Sequence, residues 1–287
     1  MNNFKKCFLA VALAGVLTVA WAAPKIKEQP VNLTTKDGWV LSAVYQPPLE
    51  KGTVVVLLHD LGKNKEAFAS FKKALTKAGI GYLAVDLRGH GQSTGKGEYK
   101  TFAKEGEDNP FNQMAQDGQA AVQFLKSKKI PAENIMVLGT GLGANLAAKT
   151  AQVQPDIRGV ALISPGANIR DVLPVPALRA YRGAVLIAAS AGERKGFLEA
   201  SILRNVAFLT TGEGNVTFLT AYDLASHELL DRYITPSVVQ WVLTPVRPEV
   251  LPDVKQADLI DWHTDADANQ ARPSKKTKLL VPSVLLD

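Results

Sequence analysis

The stretch Ile135-Met136-Val137-Leu138-Gly139-Thr140-Gly141-Leu142-Gly143-Ala144-Asn145-Leu146-Ala147-Ala148 decides the fold of this chain. An apolar run meets a glycine-rich break and resumes as a helix-compatible run, which reads as strand, sharp turn, helix. In the G-x-S-x-G elbow the central residue sits on a strained strand-to-helix turn that lifts a serine Oγ above the sheet. The flanking glycines leave room for backbone that passes too close for a Cβ. Gly139 and Gly143 keep that frame, but the centre is Gly141, which suits the strained backbone and carries no attacking group. The stretch predicts the architecture of an elbow without its nucleophile.

A literal G-x-S-x-G occurs elsewhere, at Gly91-Gln92-Ser93-Thr94-Gly95. The apolar run before it, Gly81 to Val85, stops several residues short. The residues after it, Lys96 to Lys100, are polar and broken by Gly97. A motif counts only in its structural context, so Ser93 is expected in a loop and not on a nucleophile's turn.

Outward from the elbow, Val31 to Thr35 and Trp39 to Tyr45 read as two strands around Lys36-Asp37-Gly38, a strong hairpin signal. Thr53 to Leu58, Ile80 to Val85, Asn134 to Leu138, Ile157 to Ser164, Gly183 to Ala189 and Asn215 to Ala221 are predicted strands. Their continuous apolar runs are of the kind buried on both faces of a parallel sheet. Helices are predicted over Lys65 to Ala78, Phe111 to Lys128, Leu142 to Gln152, Glu193 to Val206 and Thr235 to Leu243. Leu87 to Pro110 is polar and Gly-rich and reads as a long surface loop. Pro165 to Arg182 is too short a connection for a large cap domain. The alternation predicts an α/β chain: a mostly parallel, doubly wound sheet led by an antiparallel hairpin.

The ends read differently. Lys5 and Lys6, the apolar run Phe8 to Ala20 and the small-x-small site Ala20-Trp21-Ala22 predict a cleavable signal peptide over residues 1–22. The apolar run is short for a membrane span of about 20 residues, so no stable span is expected after cleavage, and the mature chain is expected to be secreted or periplasmic. The single cysteine, Cys7, falls within that leader, so export would supply no disulfide. Residues 23–30 read as a tether, 31–244 as one domain and 245–287 as a Pro-rich, polar extension. The formal net charge of +6 includes Lys5 and Lys6 and is not clustered enough to argue for nucleic acid. Lys275, Lys276 and Lys278 form one basic knot near the C-terminus, read as a solvated tail. His59, His90, His227 and His263 show no metal-ligand spacing, and neither a metal nor a cofactor is expected.

Four stretches together carry a family resemblance. Leu58-His59-Asp60-Leu61-Gly62 resembles the H-G-x-G type loop after a third strand. Asp86-Leu87-Arg88-Gly89-His90-Gly91-Gln92-Ser93 resembles the D-x-R-G-x-G-x-S loop after a fourth. The Gly139 to Gly143 frame resembles the elbow, and Ser226-His227-Glu228-Leu229-Leu230 the segment that carries a catalytic histidine. In this order they resemble the α/β-hydrolase superfamily, in its cap-poor branch of exported esterases, dienelactone-hydrolase-like proteins and serine aminopeptidase-like lipases. The resemblance covers roughly Val31 to Leu243. It implies the α/β-hydrolase fold without a large cap domain, and says much less about substrate.

It also implies a set of site residues. The oxyanion hole would use the backbone N–H groups of Leu61 and Leu142, although the glycines around them serve chain geometry equally well. His227 would be the general base, or a packed histidine that has outlived its nucleophile. Glu193 is the carboxylate available to orient His227, or else the acid that opens the following helix. Gly141 is the empty nucleophile position. Ser164 and Ser190, at predicted strand ends, are the alternative nucleophiles.

Two functions follow as expectations. The first is a serine-hydrolase homologue, catalytically impaired at Gly141, that acts by binding a small molecule or peptide at the strand-end crevice. The second is an active esterase- or peptidase-like enzyme with a displaced nucleophile and His227 as base. A protein partner recruited through the 245–287 tail is a weaker third.

Overall fold

The computed structural model describes residues 27–49, 52–106, 109–222, 224–225, 228–245 and 279–280. The predicted leader and most of the predicted C-terminal extension lie outside these residues.

The apolar runs form the centre of one sheet. Its strands are β1 (Gln29–Thr34), β2 (Val40–Gln46), β3 (Val54–Leu58), β4 (Gly81–Val85), β5 (Ile135–Thr140), β6 (Gly159–Ile163), β7 (Ala184–Ser190), β8 (Val216–Ala221) and β9 (Leu279–Leu280). Spatial order is β1-β2-β4-β3-β5-β6-β7-β8-β9. The hairpin leads as predicted: β1 and β2 are antiparallel, with Thr34 opposite Val40, and β1 starts at Gln29, inside the stretch read as a tether. From β4 through β8 every pairing is parallel. The two-residue β9 closes the far edge antiparallel to β8.

The helices are α1 (Ala69–Lys77), α2 (Pro110–Gln113), α3 (Ala115–Ser127), α4 (Leu142–Val153), α5 (Val175–Ala180), α6 (Arg194–Thr211) and α7 (Thr235–Leu243). They cover both faces. In β3 the alternate residues Val54, Val56 and Leu58 join one buried cluster with α3, α4 and α6. Val55 and Leu57 join a second with α1 and α7. This two-sided burial is why the central strands read as unbroken apolar runs and show no alternation. Only the six-residue α5 lies between β6 and β7, so no large cap intervenes. Among the described residues no helix is long and apolar enough to cross a membrane.

One expectation is corrected. Leu87 to Pro110 is not wholly a surface loop: Leu87, Arg88, His90 and Ser93 are buried. The Arg88 guanidinium meets Asp117 at 2.7 Å and Asp37 at 2.5 Å. The Ser93 hydroxyl donates to the Asp86 carbonyl at 2.7 Å and accepts the Ser42 N–H at 2.9 Å. Charge and glycine content signalled exposure, but the polar groups are internally paired and can be buried.

The topology then fixes where a ligand would sit. The chain runs from β3 outward to β4, then crosses back to β5 on the other side of β3. In open α/β sheets the crevice at such a reversal, beyond the carboxyl ends of the strands, is the usual ligand site.

Candidate functional site

Register brings three strand ends level. Leu58 pairs with Gly139, and Gly139 with Leu162. Asp60, Gly141 and Ser164 each lie two residues beyond one of these, so they stand side by side at the reversal. Around them is a cleft of about 960 Å³, lined by Asp60, Gly141, Ser164, Glu193 and apolar residues including Phe68 and Ile163.

Gly141 turns the chain from β5 into α4 at φ 53 and ψ −118. The flanking glycines are required by close approach. A Cβ on Gly139 would overlap the Gly143 carbonyl, and one on Gly143 would overlap the Leu58 carbonyl.

The Leu61 and Leu142 amides point to one place, and a side chain is already there. The N–H of Leu61 donates to Asp60 Oδ1 at 2.7 Å, and the N–H of Leu142 donates to the same oxygen at 2.8 Å. A Cβ built on Gly141 would fall inside the Asp60 carboxylate, overlapping Oδ1 and Cγ. Asp60 thus fills both the N–H pair and the space of a side chain at position 141. Charge-assisted bonds and the N-terminus of α4 hold the anion there.

Histidine supports this arrangement from behind. His59 Nε2 accepts the Leu87 N–H at 3.0 Å, so its Nδ1 carries the proton and donates to the Asp60 carbonyl at 2.8 Å. Burial lowers the His59 pKa from 6.5 to about 4, which keeps the ring neutral. His90 packs against His59 with centroids 5.1 Å apart and stacks on Tyr99 at 4.0 Å. Burial lowers its pKa too. At the cleft rim, burial raises the Asp231 carboxyl.

The other residues singled out in the sequence are placed as follows. Ser164 follows β6 at φ 52, a left-handed conformation unusual for serine, and lines the cleft. Ser190 is buried and donates its hydroxyl to the Leu224 carbonyl at 2.5 Å. Glu193 precedes α6, its carbonyl accepts the Phe197 N–H at 2.9 Å, and it lines the cleft. His227 lies outside the described residues. Among those described, no group of three or more His, Cys, Asp or Glu side chains is arranged to hold a metal ion.

Reasoning from sequence missed Asp60 as a site residue. The signal was available: Asp60 stands at the second position of a loop that resembles H-G-x-G, where a glycine is expected, while a glycine stands at 141.

Comparison with known proteins agrees with this geometry at the level of family and fold. The family model described as "Serine aminopeptidase, S33" matches residues 50–206, more than half of the chain. The chain belongs to that family and so to the α/β-hydrolase superfamily. "Uncharacterized protein YnbC" of Escherichia coli (strain K12) is 28% identical over 151 residues, half of this chain. The match spans only 24% of that relative's length. Solved structures of similar fold include the esterase Pf2001 of Pyrococcus furiosus, at TM-score 0.62 and 17% identity over 78% of this chain and 94% of that one. A dienelactone hydrolase of Anabaena variabilis matches at TM-score 0.60 and 14% identity, covering 76% of this chain and 95% of that one. Est1E of Butyrivibrio proteoclasticus, solved with ferulic acid, matches at TM-score 0.58 and 16% identity, covering 74% and 96%.

Proposed function

We propose that this hydrolase-family chain does not carry out serine-ester chemistry and acts instead by binding a ligand in the strand-end cleft. The observation that carries the reading is Asp60 Oδ1 on the Leu61 and Leu142 amides, 2.7 and 2.8 Å away. Acyl transfer needs those donors aimed at the charge that develops on a substrate oxygen. A resident carboxylate takes both bonds and repels a second negative charge. Gly141 removes the nucleophile that would have generated that charge. The cleft is nevertheless open and large enough for a small molecule or a short peptide. The leader read over residues 1–22 would deliver this binding protein outside the cytoplasm.

Ser164 favours a second reading. Its left-handed backbone and its place on the cleft wall are what a displaced nucleophile would need. One experiment separates the two. Hydrolysis of short-chain p-nitrophenyl esters and aminoacyl amides is measured for the wild type, His227→Ala and Ser164→Ala. The binding reading expects no turnover above the His227→Ala background. Wild-type turnover that disappears in both variants establishes the enzyme.

A further inference from the structure

Asp60 reverses the polarity of the place it occupies. A pair of backbone N–H groups facing a cleft selects an acceptor, such as a carbonyl oxygen or an oxyanion. Here both N–H groups are taken by Asp60 Oδ1. What the crevice offers a ligand is therefore an acceptor and a negative charge. Asp60 lines the cleft, and its carboxylate stands where a side chain at position 141 would project. Oδ2 accepts no hydrogen bond from the described residues. The carboxylate is also fixed in advance, by the two amides and by His59 Nδ1 on the Asp60 carbonyl at 2.8 Å. A donor that meets Oδ2 need not order the group first, which favours affinity.

The surroundings fit the same class of ligand. Glu66, Glu199 and Asp231 line the cleft with Lys63, Arg194 and Lys195, and two of these acids are already partnered: Glu66 meets Lys72 at 3.3 Å, and Glu199 accepts the Ala167 N–H at 3.1 Å and lies 3.8 Å from Lys195. Phe68, Ile163 and Leu230 supply apolar wall. Building on the binding reading above, we infer that the cleft takes an organic ammonium. The amine head meets Asp60 Oδ2, and the hydrocarbon body lies against Phe68, Ile163 and Leu230. A charge-assisted hydrogen bond to a carboxylate is about twice as strong as a neutral one. A carboxylate ligand of the same shape meets like charge and is rejected.

The test uses three probes that differ only in the head group: hexylammonium, hexanol and hexanoate. Each is titrated into the full chain by ligand-observed NMR, with the wild type and Asp60→Asn side by side. This substitution keeps the size of the side chain and removes its charge, and a thermal melt confirms that the variant is folded. The expected result is hexylammonium bound at least about tenfold more tightly than hexanol by the wild type, with hexanoate weakest. In Asp60→Asn the preference for hexylammonium over hexanol collapses. Hexanoate binding as well as hexylammonium, a preference that survives Asp60→Asn, or no saturable ammonium binding each overturns the inference. If hexanol still binds in those cases, the binding reading stands without this specificity. Failure of the binding reading shows separately, as wild-type ester turnover.

Discussion

The Asp60 carboxylate occupies the space that a side chain on residue 141 would take, and it does so by accepting the Leu142 N–H at 2.8 Å. Asp60 and a side chain at position 141 exclude each other sterically. With glycine at 141 the carboxylate fits, and with any larger residue it must leave. Leaving means giving up the Leu61 amide as well, at 2.7 Å.

A first prediction concerns that exclusion. Gly141→Ser places a side chain at φ 53, a strain of about 1–3 kcal/mol. It also expels a charged acceptor from two hydrogen bonds, each worth about 1.5–3 kcal/mol to a charged group. The single substitution should therefore destabilise by roughly 3 kcal/mol or more in urea unfolding. In an Asp60→Gly background the same change should cost only its backbone strain. Equal costs in the two backgrounds would mean that the residues do not share this space.

The acid sensitivity of the fold should carry a signature of His59. Its folded pKa of about 4 lies below the ordinary 6.5, because burial penalises the charged ring. The unfolded chain therefore binds a proton between those values and the folded chain does not. Stability from the neutral ring is fully present above about pH 6.5 and is lost as pH falls towards about 4. The shift corresponds to roughly 3 kcal/mol. In His59→Gln, the difference in unfolding free energy from the wild type should shrink by about that amount between neutral pH and the acid end of the window. A constant difference would place the effect elsewhere.

The loop after β4 is held by charge. Arg88 and Asp117 are both buried and meet at 2.7 Å, with the Arg88 N–H also on Asp117 at 2.8 Å. Removing one member of a buried pair leaves an uncompensated charge, at about 3–5 kcal/mol. Arg88→Ala and Asp117→Ala should each lower stability in that range by denaturant unfolding. Lys126→Ala, which breaks the exposed pair with Asp156 at 2.8 Å, should change it by less than about 1 kcal/mol.

These relationships mark how far the sequence could be read. The elbow was legible because its glycines answer a local constraint: Gly139 and Gly143 each face a carbonyl that leaves no room for a Cβ. The central strands were legible because burial on two faces removes all polar residues from Val54 to Leu58. The buried loop from Leu87 to Ser93 was not, since Arg88 reveals its burial only through Asp37 and Asp117, 51 and 29 residues away. Asp60 was harder still. Its role depends on a missing side chain far along the chain, at position 141, so the aspartate at the second position of the His59 loop gains its meaning only when the two distant positions are read together.

The most direct measurement is intact-mass analysis after exposure to a fluorophosphonate, which bonds covalently to a serine activated beside an oxyanion hole. The wild type should gain no adduct, because it has no serine at the elbow and its two amides already hold Asp60. Asp60→Gly combined with Gly141→Ser should gain one adduct, on the introduced serine. A stoichiometric wild-type adduct mapped to Ser164 or Ser190 would contradict the account and make this chain an active enzyme with a displaced nucleophile.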